Sequence, residues 1–269
     1  ALRAISESYA SPFNADSSLY FDFFSVFVSG FVITFALMVQ PHILTKVLYL
    51  RSERDIRTFI ATTVVVGTLF TLMLMIGFYA RLSGLEIDSQ DTVVREYLLH
   101  EFGSSVWGEY VLVFIFITLL AAGMSTLDGI LVALSAMVVN DIVRPLAGPD
   151  RDALALSRWV LVGVGGVGLA LAWNPPPLIG LFAQKGVYGL AAASLVPVLF
   201  GVLVRRHIPL WVVMGAAGLG LGLHLLFNLA LGIENPAISA TYGIFASLAF
   251  GLVGLWVTRG DAPGHGEVR

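Results

Sequence analysis

Residues 111–144 read VLVFIFITLLAAGMSTLDGILVALSAMVVNDIVR. A bilayer crossing takes about 20 apolar residues, and this run exceeds that. In its middle stands a small polar island, Ser125-Thr126-Leu127-Asp128. Hydroxyls and a carboxylate at mid-depth are costly in hydrocarbon and face a cavity or a site when they are found there. The stretch therefore predicts a membrane protein that handles something polar inside the membrane.

The rest of the chain agrees with that reading. Hydrophobic residues make up 57% and charged residues 12% of the 269 residues. The charged share is about half that of a soluble domain. The apolar residues come in blocks separated by short polar stretches, at roughly 20–48, 58–80, 107–140, 157–173, 178–204, 209–232 and 238–258, and each block predicts a spanning helix. None shows the period-two alternation of a membrane barrel, so the expected fold is all-α with seven transmembrane helices. The chain has no cysteine, which excludes disulfides, thiolate chemistry and zinc sites of the cysteine type.

The basic residues predict the topology. Lys46, Arg51, Arg54, Arg57, Arg144, Arg151, Arg158, Arg205, Arg206, Arg259 and Arg269 fall on one set of loops, and Arg3, Arg81 and Arg95 on the other. By the positive-inside rule the first set is cytoplasmic. Residues 1–19 are then an outer loop, and 259–269, RGDAPGHGEVR, a disordered cytoplasmic tail. Trp107, Trp159, Trp173, Trp211 and Trp256 fall near predicted helix ends, where an interfacial belt would hold them. The acidic segment 81–106 contains DTVVREYLLHEF, whose apolar spacing predicts a short helix opening at Ser89 or Asp91. The chain opens at Ala1 without a signal-peptide pattern, and it reads as the C-terminal part of something longer.

Several residues have the chemistry of a site. Ala122, Ser125 and Thr126 lie at i, i+3 and i+4, so the Ala122 carbonyl and the two hydroxyls can converge on one helix face. Three neutral oxygens suit a hard cation such as sodium if a second helix completes the shell. The alternative is that the hydroxyls bond back to carbonyls one turn earlier. Asp128 reads in three ways: a charge behind a bound ion, a proton carrier, or a link to a neighbouring helix.

In the first span, FALMVQPHILTKVLYLRS (35–52), Pro41 removes a backbone donor and predicts a kink or an opening around 35–41. Thr34 and Gln40 are then candidate binding groups, while His42 reads as a hydrogen-bonded helix residue. Lys185, in LIGLFAQKGVYGLAAASLVP (178–197), either snorkels to the outer headgroups or faces a cavity and attracts an anion. The glycines at 163, 165, 166 and 168, and at 215, 218, 220 and 222, read as packing faces, with Gly218 and Gly222 spaced as GxxxG. No strand precedes either cluster, so neither is a nucleotide fingerprint, and no nucleic-acid partner is expected.

AAGMSTLDGILVALSAMVVNDI (121–142) resembles the signature helix of the sodium:solute symporters, and VQPHILTKVLYLRSERDIR (39–57) resembles the family's Gln-Pro-His segment and the basic turn after it. The resemblance covers about residues 20–258 and is to the last seven helices of a thirteen-helix carrier of the proline, pantothenate and sugar type. It implies the second inverted repeat of a leucine-transporter-type core plus two extra helices. It also implies a multi-pass protein of the plasma membrane (a bacterial inner membrane), with Na+ as the coupling ion and a small organic solute as cargo. The family's sodium site lies between the first and eighth core helices; its eighth-helix half corresponds to Ala122, Ser125 and Thr126, and its other half belongs to a missing N-terminal repeat. A further sodium site of some members corresponds to Asp128 and Gly129, which lack the hydroxyls. Phe35 corresponds to the region of a gating aromatic, and Lys185 to that of a polar substrate contact.

The expected function is sodium-driven symport by alternating access, not enzymatic catalysis. The alternative from another class is the membrane input module of a sensor kinase, since some histidine kinases resemble this module.

Overall fold

The structure is a computed structural model describing residues 6–7, 11–40, 43–44, 47, 49–87, 89–148 and 153–260. The described residues form helices and connections, with no strand. The first helix, α1 (Phe24–Met38), starts with a π turn over Phe24–Val28. Asp22 and Ser25 cap it reciprocally: the Ser25 amide donates to Asp22 Oδ1 at 2.7 Å, and the Asp22 amide to Ser25 Oγ at 2.9 Å. This is the capping-box arrangement with a shorter acid. The last turn tightens, the Gln40 amide bonding the Leu37 carbonyl at 3.2 Å.

Within the span expected at 20–48, the apolar helix Phe24–Met38 ends before Pro41, in keeping with the steric restriction on the residue before a proline, and Ile43, Leu44 and Val47 are helical beyond it. Pro41, His42 and Lys46 lie outside the described residues. Among the described residues six helices are long and apolar enough to cross a membrane, with α1 as a shorter seventh.

Next come α2 (Glu53–Met73) and, after a tightened turn, α3 (Ile76–Leu82), together one 30-residue apolar stretch. It begins earlier than the expected 58 because Ser52 and Asp55 form a second reciprocal cap, at 3.2 and 3.0 Å. The short helix α4 (Val93–Phe102) follows a 3₁₀ turn capped by Ser89, whose Oγ accepts the Asp91 amide at 3.3 Å. The helix α5 runs from Val106 to Leu146, 41 residues that include a π turn over Val138–Val143. At 1.5 Å per residue that is about 60 Å, twice the hydrocarbon thickness. Ser105 caps it through the Gly108 amide at 3.0 Å. The remaining helices are α6 (Ala153–Ala172), α7 (Ile179–Leu203), α8 (Leu210–Leu225, extended by a π turn to Ala230) and α9 (Pro236–Val257). Asn235 starts α9 by accepting the Ala237 amide at 2.8 Å, with Pro236 pre-set for the first helical position.

The chain divides into two compact units, Leu69–Ile179 and Ala1–Thr68 with Gly180–Arg269. In the first, α5 and α6 are tied by the Ser135 and Ser157 hydroxyls, 3.0 Å apart. Asp91 Oδ2 accepts the amide of Leu178 at 3.0 Å. That bond holds Leu178 at φ 56°, a left-handed conformation uncommon outside glycine. In the second unit, α1, α7 and α9 share a core of Ile33, Ala36, Ala191, Leu195, Ala240 and Ile244, and Val196 and Phe200 of α7 pack with Ala216 of α8.

Backbones approach closely there. A Cβ on Gly220 would lie 2.9 Å from the Ala192 carbonyl carbon, and one on Gly254 2.7 Å from Val212 Cγ1. The GxxxG expectation is corrected by this packing: Gly218 and Gly222 have open space beside them, as do Gly163, Gly165, Gly166 and Gly168, and the contact glycines of α8 are Gly215 and Gly220. Few side chains of α2, α5 and α6 are buried, whereas half of α9 is. The five tryptophans are also exposed.

Candidate functional site

The polar island sits near the middle of α5, with Ala122, Ser125, Thr126 and Asp128 all exposed. The Thr126 hydroxyl donates to the Ala122 carbonyl at 2.9 Å. This is the back-bonded alternative, and it is not peculiar to the island, because Thr63, Thr68 and Thr118 make the same bond to the carbonyl four residues earlier. It also brings two of the three candidate oxygens together. A threonine hydroxyl that donates its proton to one oxygen keeps its lone pairs for a cation. The Ser125 side chain makes no hydrogen bond to another described residue, and neither does that of Asp128. The adjoining Gly123 and Gly129 have nothing within 4 Å of a Cβ position, so the face is open. Among the described residues no three His, Asp or Glu side chains gather as a metal site. The oxygens that Ala122 and Thr126 bring together are neutral, of the kind a hard cation takes.

The other candidates fall in the second compact unit. Thr34 and Phe35 of α1 are exposed, Phe35 by 44%. Gln40 is buried and committed: its Nε2 donates to Ser194 Oγ on α7 at 2.7 Å, and Ser194 in turn donates to the Leu190 carbonyl at 2.8 Å. Gln40 thus links α1 to α7 just where α1 ends. Lys185 lies half-buried in the second turn of α7 beside half-buried Gln184. One turn on, Tyr188 packs against the core that contains Ile33 and Ala36. So α1 and α7 bring Gln40 and Lys185 into one packed unit, while Ala122, Ser125, Thr126 and Asp128 belong to the other.

Sequence reasoning missed His224. It is fully buried on α8, with Nε2 2.8 Å from the Lys185 carbonyl and Nδ1 3.0 Å from Ser239 Oγ on α9. The signal was a lone imidazole inside the apolar run GLGLHLLF, a residue type that does not enter a spanning helix without partners.

Long apolar helices with hydroxyl and carbonyl oxygens at mid-length define a multi-pass helical membrane protein. A family model of the sodium:solute symporters matches residues 2–209. That is most of the 269 residues, and the chain belongs to the sodium:solute symporter family. Membership implies sodium-coupled solute transport, the work of a transporter and not of an enzyme. The match ends before α8, so α8 and α9 lie beyond it. No curated protein and no solved structure matches the chain. Nothing found supports the sensor-kinase alternative.

Proposed function

We propose that this chain is the C-terminal portion of a carrier that couples sodium entry to uptake of a small organic anion by alternating access across a bacterial inner membrane. Sodium is cargo, and Ala122, Ser125 and Thr126 supply half of its site. The observation behind this is the Thr126 hydroxyl held 2.9 Å from the Ala122 carbonyl, with Ser125 uncommitted on the same face. The other half comes from a preceding repeat, as the resemblance implies. Asp128, two residues beyond these ligands, biases the region toward cations without coordinating. Thr34, Phe35, Gln40 and Lys185 form the solute side, with Lys185 pairing the anion. Sodium stabilises the outward-facing state by binding it more tightly than the inward-facing one. Sodium and solute then raise each other's affinity reciprocally.

The test is uptake by the complete carrier. Ser125→Ala with Thr126→Ala should raise the sodium concentration for half-maximal uptake about tenfold or more, because ligands lost inside the membrane are poorly replaced by water. An unchanged sodium dependence in the double mutant sinks the assignment.

A further inference from the structure

We propose that His224 is a positioning residue for the solute site: as the Nε2–H tautomer it clamps the Lys185 turn of α7 to the helix pair α8–α9. The inference rests on the reading of Lys185 as a solute contact.

The tautomer follows from the partners. A backbone carbonyl only accepts, so the 2.8 Å contact between His224 Nε2 and the Lys185 oxygen requires the proton on Nε2. Nδ1 then accepts from the Ser239 hydroxyl at 3.0 Å. That hydroxyl is also 3.1 Å from the Pro236 carbonyl, so it has a second acceptor within reach in the first turn of α9. Both ring nitrogens are partnered by different helices. Among the described residues no acidic side chain bonds the ring.

The backbone is shaped to admit the ring. Gly189 lies one turn after Lys185, and a Cβ there would stand 3.0 Å from His224 Cδ2 and 3.2 Å from Leu221 Cδ1. Gly243 of α9 admits the α8 backbone that carries the ring, since a Cβ there would meet the Gly220 carbonyl and come within 3.4 Å of the His224 amide nitrogen. An ordinary helix carbonyl at Lys185 needs no second donor, because the amide four residues on already bonds it. The imidazole therefore adds a directional bond at the one turn of α7 that carries the lysine. The clamp also joins two parts of different standing: α7 lies within the family match, and α8 and α9 lie beyond it. The helix pair outside the matched region thus fixes the orientation of a candidate binding turn inside it.

The experiment uses the complete carrier in liposomes with His224→Leu, His224→Gln and Ser239→Ala. Leucine removes the donor while keeping bulk; glutamine keeps an N–H of similar reach. Two quantities are read: amide hydrogen exchange of segment 180–190, and reductive methylation of Lys185 with and without acetate as the probe carboxylate. His224→Leu should speed exchange at residues 185–189 about tenfold or more and abolish the protection that acetate gives Lys185. His224→Gln should bring both back to within about threefold of wild type, and Ser239→Ala should fall between. Exchange in His224→Leu that matches wild type overturns the clamp. Loosened exchange with acetate protection intact overturns the positioning role. Wild-type protein in which acetate gives no protection overturns the reading of Lys185 as the anion contact, and with it the positioning role. That failure is told apart from the clamp's own because the exchange effect persists.

Discussion

Replacing Gly220 by alanine tests the packing of the C-terminal helices directly. The added methyl would lie 2.9 Å from the Ala192 carbonyl carbon, nearer still to the carbonyl oxygen, and 3.3 Å from Ser247 Cβ. Ordinary contact begins at 3.4 Å, so α7 and α8 must part by at least the difference, 0.5 Å, and the obstacle is backbone that no rotamer change can move. Overpacking of this kind costs about 1–3 kcal/mol, and rigid backbone puts it at the upper end. Alanine returns up to about 1 kcal/mol of helix propensity. The net loss is about 2 kcal/mol, which at about 2–4 °C per kcal/mol lowers the unfolding midpoint by about 4–8 °C. Gly218→Ala and Gly222→Ala are the controls, because neither methyl meets an atom within 4 Å. Both should leave the midpoint unchanged or raise it slightly. The assay is thermal unfolding of the purified chain in detergent, followed by fluorescence size-exclusion chromatography. A Gly220→Ala midpoint equal to wild type, or a Gly218 or Gly222 variant that falls further, refutes the packing and restores the GxxxG reading.

Other predictions address the site and its frame. Lys185→Gln in the complete carrier should weaken uptake of a carboxylate solute by about 1–3 kcal/mol of binding while leaving sodium affinity alone; a wild-type half-saturation, or a neutral solute, returns Lys185 to the role of interfacial anchor. Gln40→Leu removes the donor to Ser194 and should cost about 1 kcal/mol of stability, seen as a lower midpoint that Ser194→Ala does not lower further in the double mutant. Asn235→Ala strips the cap of α9 and the bond that Nδ2 donates to the Leu19 carbonyl and should cost about 1 kcal/mol or more, read as a lower midpoint in the same unfolding assay; a midpoint equal to wild type refutes the cap. Residues 1–269 alone, reconstituted without a partner chain, should show no sodium-driven uptake, because alternating access needs both repeats; measurable uptake would end the reading of the chain as one half of a carrier.

The helices were legible because lipid compatibility is written residue by residue. The apolar blocks predicted at 107–140 and 178–204 correspond to helices at Val106–Leu146 and Ile179–Leu203. Boundaries were less legible, since they depend on caps. Ser52 with Asp55 begins α2 five residues before the apolar block does, and Asn235-Pro236 does the same on a smaller scale for α9. In the first span the helix Phe24–Met38 ends ahead of Pro41, and Ile43, Leu44 and Val47 beyond it are again helical. Glycine spacing misleads for a related reason: GxxxG specifies a face, but the face that meets a neighbour is set by the surrounding helices, here α9 at Gly215 and both α7 and α9 at Gly220.

The candidate site shows the limit of one-dimensional reading most clearly. Ser125 and Thr126 stood out because polar groups at mid-span are conspicuous, and their spacing alone put both hydroxyls on the face of the Ala122 carbonyl. The same logic should have singled out His224, which is equally isolated within an apolar run. It did not, because a hydroxyl can satisfy itself within its own helix, as Thr126 does, whereas an imidazole has to find partners elsewhere. Those partners, the Lys185 carbonyl and Ser239, lie 39 and 15 residues away in sequence. A serine or threonine in a spanning helix is therefore weak evidence of a site until its own back-bond is accounted for. A lone histidine in an apolar run is, by contrast, strong evidence of an interhelical connection. Ser125, the hydroxyl left without a partner among the described residues, falls between these cases. It makes no back-bond and no interhelical bond among the described residues, so its oxygen is open to the coordination proposed above.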